Sequence, residues 1–545
     1  MKLLHALSLL QSALLVKGSS IRSIANTTAV ELPWNGWGGN TFNNRWASTN
    51  TAISSCNIKT ISSHCKIAYP GGISATTTIV SGIAYYTTWN GSLVALDYAS
   101  CTVKWQTNIA DAIITFGGPP TALQAPIVQA VSRTSPQVDL ANNLIYIGTG
   151  LHALVIAADL ATGAILGSTQ IHAHPLAQIT QSGTVHNGVF YIGTSSAEES
   201  ANSGSDPSYV CCTFVGNAVA VRFTRATNTF STLWDIPMLV VDDSADSTAG
   251  TGDQWSGIAV WGSQPAIDVA RNTVYYATGN TYSVPDAWLA CTATPLDPAC
   301  ELPERVWQES VLALDLDTGA PRWVRRLGAL DVYTVACSTE PKDPALCDFT
   351  TGEDADFGMA PTFVPAGGKD GGDAVVVGQK NGNLYSLNAD SGAIEWVTSV
   401  GPGGTTGGLS WGIAVDNGRV YFSENNSEGK EWRPQPQNDT VINNSAYGAA
   451  SLSTGELLWE TPANATWSST NPPTVVGNLV LSLRQQAATL GGGFVVLKKT
   501  TGEILLDMDL DAYSQSSIAV AGKYIFLGTG YHGYLDGFLH VFSVA

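Results

Sequence analysis

SVLALDLDTGAPRW, residues 310 to 323, is the stretch from which the fold can be read. LALD alternates with a period of two, the signature of a half-buried antiparallel strand. D-x-T-G is a turn in which glycine supplies a positive backbone angle, and a tryptophan ends the unit. The same unit recurs as GSLVALDYASCTVKW (91 to 105), HALVIAADLATGAIL (152 to 166), GNAVAVRFTRATNTFSTLW (216 to 234), GNLYSLNADSGAIEW (382 to 396), YGAASLSTGELLW (447 to 459), GGFVVLKKTTGEILL (492 to 506) and GFLHVFSV (537 to 544). Each copy follows a second apolar strand such as VFYIGTSS or TVYYATGN. One such sheet cannot bury both of its faces. Radial repetition buries each sheet against its neighbours, so eight copies predict an all-β, eight-bladed propeller of four-stranded antiparallel blades. Eight hairpins in a β-sandwich or β-helix are the alternative; the uneven spacing argues against a solenoid. The eighth copy ends at the C-terminus, which calls for an N-terminal strand to complete its blade.

The composition agrees. The 545 residues carry 55 glycines, only 13% charged residues and a net charge of −19. Short strands and tight turns use such a composition. No basic patch is present, so nucleic acid is not an expected partner. MKLLHALSLLQSALLVKGSS (1 to 20) reads as a secretory signal peptide, too short for an anchor, with residues 21–545 as one propeller domain. No later apolar run is long enough to span a bilayer. Sequons at Asn26, Asn90, Asn425, Asn438, Asn443 and Asn464 fit a secreted, extracellular glycoprotein. Nine cysteines in such a chain imply disulfides. Proximity in sequence pairs Cys56 with Cys65, Cys291 with Cys300 and Cys337 with Cys347, leaving Cys211 with Cys212 and Cys101 odd. No CxxCH motif for covalent haem occurs.

Most of the extra length lies between the second and fifth copies, residues 167 to 381. Insertions in a propeller emerge as loops on its ends, where function concentrates. Here GTSSAEESANSGSDPSYVCCTFVGNAVAVR (193 to 222) places two acids, Glu198 and Glu199, near the adjacent Cys211 and Cys212. Adjacent cysteines close a small rigid ring with a flat sulfur surface, and a carboxylate is a hard oxygen ligand for a cation. Together they suggest a site for a flat, anionic cofactor. A surface loop whose cysteines bond elsewhere is the other reading.

The A-L-D-x-x-T-G-x-x-x-W repeat resembles the tryptophan-docking repeat of the pyrroloquinoline quinone (PQQ) dependent alcohol dehydrogenases, and among them the polyvinyl alcohol dehydrogenase-like proteins. The segments that carry this are SRTSP (132 to 136), AQITQSGTV (177 to 185), GTSSAEE (193 to 199), CCTFVGNAVAV (211 to 221), VWGSQPAID (260 to 268), YYATGNTYSVP (275 to 285), DADFGMAP (354 to 361), VVGQKNG (376 to 382) and GGLSWGIAV (407 to 415). The resemblance implies a role for each matched residue. Cys211 and Cys212 stack on one face of the quinone and Trp261 covers the other. Arg133, Thr180 and Ser195 hold its carboxylates and polar edge, and Trp411 is a pocket residue. Glu198, Asn280 and Asp356 bind the divalent ion, with Glu199 as a substitute for Glu198. Asp356 is the catalytic base, with Asp354 as its alternative, and Lys380 stabilises developing negative charge. Gly358 stands where lanthanide-using relatives carry an added Asp, which favours Ca²⁺. Gly183 departs from the proline usual after TQS. The implied activity is oxidation of an alcohol (secondary, polymeric or a secondary metabolite) to a carbonyl, with electrons passing to an external acceptor. The alternative is a secreted propeller without redox activity that acts as a binding module.

Overall fold

The structure is a computed structural model that describes residues 33–201, 209, 211–239, 254–338, 347, 349–437, 439–464, 467–486, 490–532 and 536–545. It contains eight four-stranded antiparallel blades. Blade 1 is built from Thr78–Val80, Ile83–Thr88, Ser92–Asp97 and Thr102–Asn108. Blades 2 to 7 begin in turn with Gln137–Asp139, Thr184–His186, Ala266–Asp268, Thr362–Val364, Ala414–Val415 and Thr474–Val476. Blade 8 is closed by the N-terminal strand Ser62–Tyr69 alongside Gly537–Ser543, as the truncated eighth copy requires.

Burial explains the sequence pattern within a blade. The second and third strands of blade 2, LIYIG and LVIAAD, are buried at every position because neighbouring blades cover both faces. Outer strands face solvent, and TVKWQTN in blade 1 is exposed at alternate or successive positions. The repeat's tryptophan and glycine act across the blade boundary. Trp234 of blade 3 donates its Nε1 to Leu316 O of blade 4 at 2.9 Å. Its ring lies against Gly319, where a Cβ would fall 2.8 Å from the indole and φ is +71°. Both facts demand glycine there. Trp105, Trp323, Trp396 and Trp459 meet Gly163, Gly392, Gly455 and Gly502 in the same way. Asp315 tightens the turn by accepting from Asp317 N and Thr318 N, each at 3.0 Å.

The segment WNGWGGNTFNNRWA, 34 to 47, ties the inner edges of the blades together. Asn35 Nδ2 donates to Val138 O of blade 2, and Gly36 N to Thr78 Oγ1 of blade 1. Gly38 N reaches Gln264, just before blade 4, and Asn43 Nδ2 reaches Ala360 O, before blade 5. Arg45 is 0% exposed, and its guanidinium donates to Pro473 O, Thr474 Oγ1 and Ile518 O at blades 7 and 8. Such a buried cation survives only because its donors are used. Trp46–Ala47 then adds a parallel fifth strand to blade 7.

Two expectations need correction. Cys65 is bonded to Cys101, not to Cys56, which is free and exposed. The strand that closes blade 8 lies beside blade 1, so the buried Cys65 faces the turn that carries Cys101 and not the sequence neighbour on its own loop. The pairs Cys211–Cys212, Cys291–Cys300 and Cys337–Cys347 form as read. Asn425 cannot carry a glycan as placed, since it is buried and its Nδ2 donates to Thr406 O at 2.7 Å. Asn90, Asn443 and Asn464 are exposed, while Asn26, Asn438 and the signal-like segment fall outside the described residues. Among the described residues no helix is long and apolar enough to cross a membrane.

Candidate active site

Loops before and after the inner strands of blades 4 and 5 converge with one from blade 3 on a single acid–lysine cluster. Lys380 leaves the end of Ala374–Gly378 and donates to Asp354 Oδ1 at 2.7 Å. Its Nζ lies 3.7 Å from Asp356 Oδ2 and 5.2 Å from the centre of the Trp261 ring. Asp356 Oδ2 accepts from Trp261 Nε1 at 2.9 Å, and Asp356 Oδ1 accepts from the backbone N of Asn280. Residue 279 must be glycine for this approach, because a Cβ there would sit 2.5 Å from Asp356 Oδ1. Asn280 Nδ2 donates to Thr281 O and Tyr333 O, which fixes the amide.

Burial alone would lower the Lys380 ammonium. The carboxylates of Asp354, Asp356 and Glu199 outweigh it and hold Lys380 above the usual lysine range, so it stays charged. Burial pushes Asp354 well above the usual carboxylate range against the pull of Lys380. Glu199 is pushed up to about 7, first by burial and then by Asp356 and Asp331, again against Lys380. One ammonium cannot neutralise this many buried acids, so the cluster has capacity for a further cation.

Glu198 behaves differently from its neighbour. It is 0% exposed, and Oε1 accepts from Tyr209 OH and from Thr213 N at 2.8 Å. Oε2 accepts from Phe214 N at 2.8 Å, and His174 Nε2 stands 3.5 Å from Oε1. Burial raises its pKa, but His174, Tyr209 and the Phe214 amide hold it below the usual range. Glu198 thus clamps the backbone just after Cys212, with both sulfurs within 4.8 Å of its oxygens. Of the two adjacent acids, Glu199 is the one in electrostatic reach of Lys380 and Asp356.

The remaining candidates lie around the same space. Cys211, Cys212 and Trp261 belong to one packed cluster with Phe214 and Tyr282. Trp411 sets its ring edge-on to Trp261 at 5.2 Å, and the Arg133 guanidinium lies 5.2 Å from the Trp411 ring centre. Thr180 and Ser195 share a 2.9 Å hydrogen bond. Arg133, Thr180 and Trp411 line a cleft with Trp37 and Gln515 whose volume is about 10 Å³, room for one water. Trp37 Nε1 donates to Trp411 O at 2.7 Å, so the N-terminal segment buttresses this wall. Trp411 and Asp354 both hold positive φ, 64° and 56°, a strain that other contacts must sustain. Gly183 has its reason too: a Cβ there would meet the Phe190 ring at 2.3 Å. A larger cleft of about 480 Å³, lined by Arg305, Trp307 and Arg326, shares no residue with the acid–lysine cluster.

The structure sets Asp354, Asp356, Lys380 and Trp261 in one cluster, Arg133, Thr180 and Trp411 around one cleft, and Glu198 on the loop beside Cys211 and Cys212. The sequence reading passed over Asp331, Glu309, His174 and Tyr209, which stand in no recognisable motif. The residues present suit the implied cofactor chemically, with a sulfur ring and an indole for a flat face, an arginine and hydroxyls for carboxylates, and clustered oxygens for a divalent ion.

No protein-family model matches the chain. It is 26% identical over 532 residues to a polyvinylalcohol dehydrogenase of Sphingopyxis sp. (strain 113P3), spanning 92% of this chain and 73% of that protein. It is 27% identical over 392 residues to a polyvinylalcohol dehydrogenase of Pseudomonas sp, spanning 71% of this chain and 54% of that one. Among solved structures, quinohemoprotein alcohol dehydrogenase from Comamonas testosteroni matches with a TM-score of 0.66 at 16% identity, over 94% of this chain and 80% of that one. A europium-containing methanol dehydrogenase matches with a TM-score of 0.64 at 16% identity, over 94% and 98%. The structural likenesses show the fold, an eight-bladed propeller shared with a quinohemoprotein alcohol dehydrogenase and a methanol dehydrogenase. In sequence the chain is similar to the polyvinylalcohol dehydrogenases, as its motifs indicated.

Proposed function

We propose that this protein is a PQQ-dependent dehydrogenase that oxidises an alcohol to a carbonyl and passes the electrons to an external acceptor. The observation that carries the proposal is Asp356, bonded to Trp261 and 3.7 Å from the Lys380 ammonium. A general base must be held in place, and Trp261 holds the Asp356 carboxylate while the Lys380 ammonium stands beside it. Cys211, Cys212 and Trp261 would border the quinone ring, and Arg133, Thr180 and Ser195 would hold its carboxylates and polar edge. Glu199, Asn280 and Asp356 would supply oxygen ligands to a divalent ion, with Glu198 clamping the loop that carries the disulfide. The quinone, when bound, supplies the two-electron acceptor. This chain's residues take the alcohol proton on Asp356 and stabilise developing negative charge with Lys380. The likeness to polyvinylalcohol dehydrogenases favours a secondary, polymeric alcohol as substrate. Calcium is favoured over a lanthanide because residue 358 is glycine, and a Cβ there would lie 3.1 Å from the Trp261 ring. The signal-like segment at 1 to 20 supports an extracellular location.

A propeller without redox activity is the second reading, and the narrow cleft beside Trp411 favours it. Dye reduction by the protein incubated with PQQ and Ca²⁺ decides between them. Turnover with an alcohol supports the dehydrogenase; quinone binding with no dye reduced by any primary, secondary or polymeric alcohol supports the binding module.

A further inference from the structure

Glu309 and Asp331 are two buried acids that the reading above leaves unused, at 2% and 5% exposure. Asp331 Oδ2 accepts from Ala355 N at 2.8 Å, and Glu309 Oε2 accepts from Gln379 Nε2 at 3.3 Å. The other two oxygens, Glu309 Oε1 and Asp331 Oδ1, are buried and receive no donor from the described residues. Yet the two carboxyl groups are within hydrogen-bonding contact of each other. Two ionised carboxylates are acceptors only and cannot bond. A single proton between them satisfies both orphaned oxygens at once, which removes two desolvation penalties.

We propose that Glu309 keeps its proton and donates it to Asp331 Oδ1, and that this singly ionised pair positions the acid–lysine cluster. Each member braces a direct neighbour of the cluster. Asp331 holds Ala355, between Asp354 and Asp356; Glu309 holds Gln379, next to Lys380. The chain makes room for both groups with glycine. A Cβ at Gly328 would fall 1.7 Å from Glu309 Oε2, and one at Gly352 would fall 1.9 Å from Asp331 Oδ1. The charged groups that bear on Glu309 are Asp331, Asp356 and Asp354, all acidic. Burial, followed by these acids, pushes the Glu309 carboxyl well above its usual range, in accord with the proton residing there.

The test is a thermal-unfolding cycle on the protein without added cofactor: wild type, E309Q, D331N and E309Q/D331N. A carboxamide offers one acceptor and one donor, the same pattern as a protonated acid bonded to a carboxylate. Each single variant therefore melts close to wild type. The double variant sets two NH₂ groups against each other and melts below the sum of the single effects. Failure of either single variant to fold, or a double variant that is additive or more stable, overturns the shared proton. The positioning role rests on the proposed dehydrogenase reading and has its own readout. E309A loses roughly tenfold in kcat with less change in KM, and E309Q restores it. Equal turnover of E309A and wild type overturns that role. If wild type reduces no dye, the dehydrogenase reading fails, while the melting cycle still decides the pair.

Discussion

The indole of Trp261 donates to Asp356 Oδ2 at 2.9 Å, joining the residue that the family resemblance sets against the quinone face to the residue it makes the base. The bond orients the carboxylate, and Asn280 N holds its other oxygen. Lys380 adds charge from 3.7 Å. The four residues come from the loops of blades 4 and 5, so the site forms only when adjacent blades pack.

Lys380 is buried against Asp354 and Asp356, so its removal is expected to cost more than catalysis. Lys380→Met leaves Asp354 buried without its ion-pair partner, a loss of about 3–5 kcal/mol for a broken buried pair. Differential scanning calorimetry of the variant should show a lower Tm. An unchanged Tm would mean that Asp354 is neutral and the pair carries no charge.

Glu198 and Glu199 should separate by phenotype. Glu199→Gln is expected to weaken Ca²⁺-dependent PQQ retention by about tenfold or more with little change in folding, as for loss of a metal ligand. Glu198→Gln should chiefly destabilise the loop, because its NH₂ cannot accept and so loses either the bond from Phe214 N or those from Thr213 N and Tyr209 OH. Calorimetric titration with PQQ in Ca²⁺, beside a melt, checks both. The reverse pattern would return the ligand role to Glu198.

Blade 6 contains a second acidic pair with a clear pH signature. Burial, then Glu460, pushes Glu424 well above its usual range. Burial pushes Glu460 up to about 8 against a bond from Gln435 N. A carboxyl raised on folding keeps its proton while the unfolded chain, near 4.5, gives its own up. Stability is therefore full below about pH 4.5 and falls by about 1.4 kcal/mol per pH unit per group as pH rises toward 8. Urea midpoints measured across pH 5 to 8 should fall in wild type and flatten in Glu460→Gln. A variant with the wild-type slope would show that this acid is already ionised in the folded protein.

Thiol chemistry tests the disulfide assignment. Native protein should expose one reactive thiol, Cys56, and unreduced peptide maps should join Cys65 to Cys101. A peptide joining Cys56 to Cys65 would contradict the placement of the closing strand beside blade 1.

Much of the fold was legible because each blade repeats the same local rules. Gly319 and Trp234 mark a contact between blades, and that contact recurs at fixed places along the chain. The truncated eighth copy foretold strand closure from the N-terminus. What escaped was long-range. Cys65 meets Cys101 because the ring closes, which sequence proximity does not encode. Arg45 and Asn43 lie in a segment whose partners are spread from residue 78 to residue 518. At the site, motif residues such as Asp356 and Lys380 could be named. Which of Glu198 and Glu199 faces Lys380 depends on the rotation of one short helical turn, Glu198–Ala201, and only coordinates reveal it. Asp331 and Glu309 act through neighbours and leave no pattern of their own.

The most direct test of the account is dye-linked alcohol oxidation by protein reconstituted with PQQ and Ca²⁺, comparing wild type with Asp356→Asn. Asparagine keeps the shape and a carbonyl acceptor for Trp261 but cannot take a proton. The account predicts turnover of a secondary alcohol by wild type and a loss of about 10² to 10⁴ in kcat for the variant, with PQQ still bound. Equal turnover by the two proteins would contradict it.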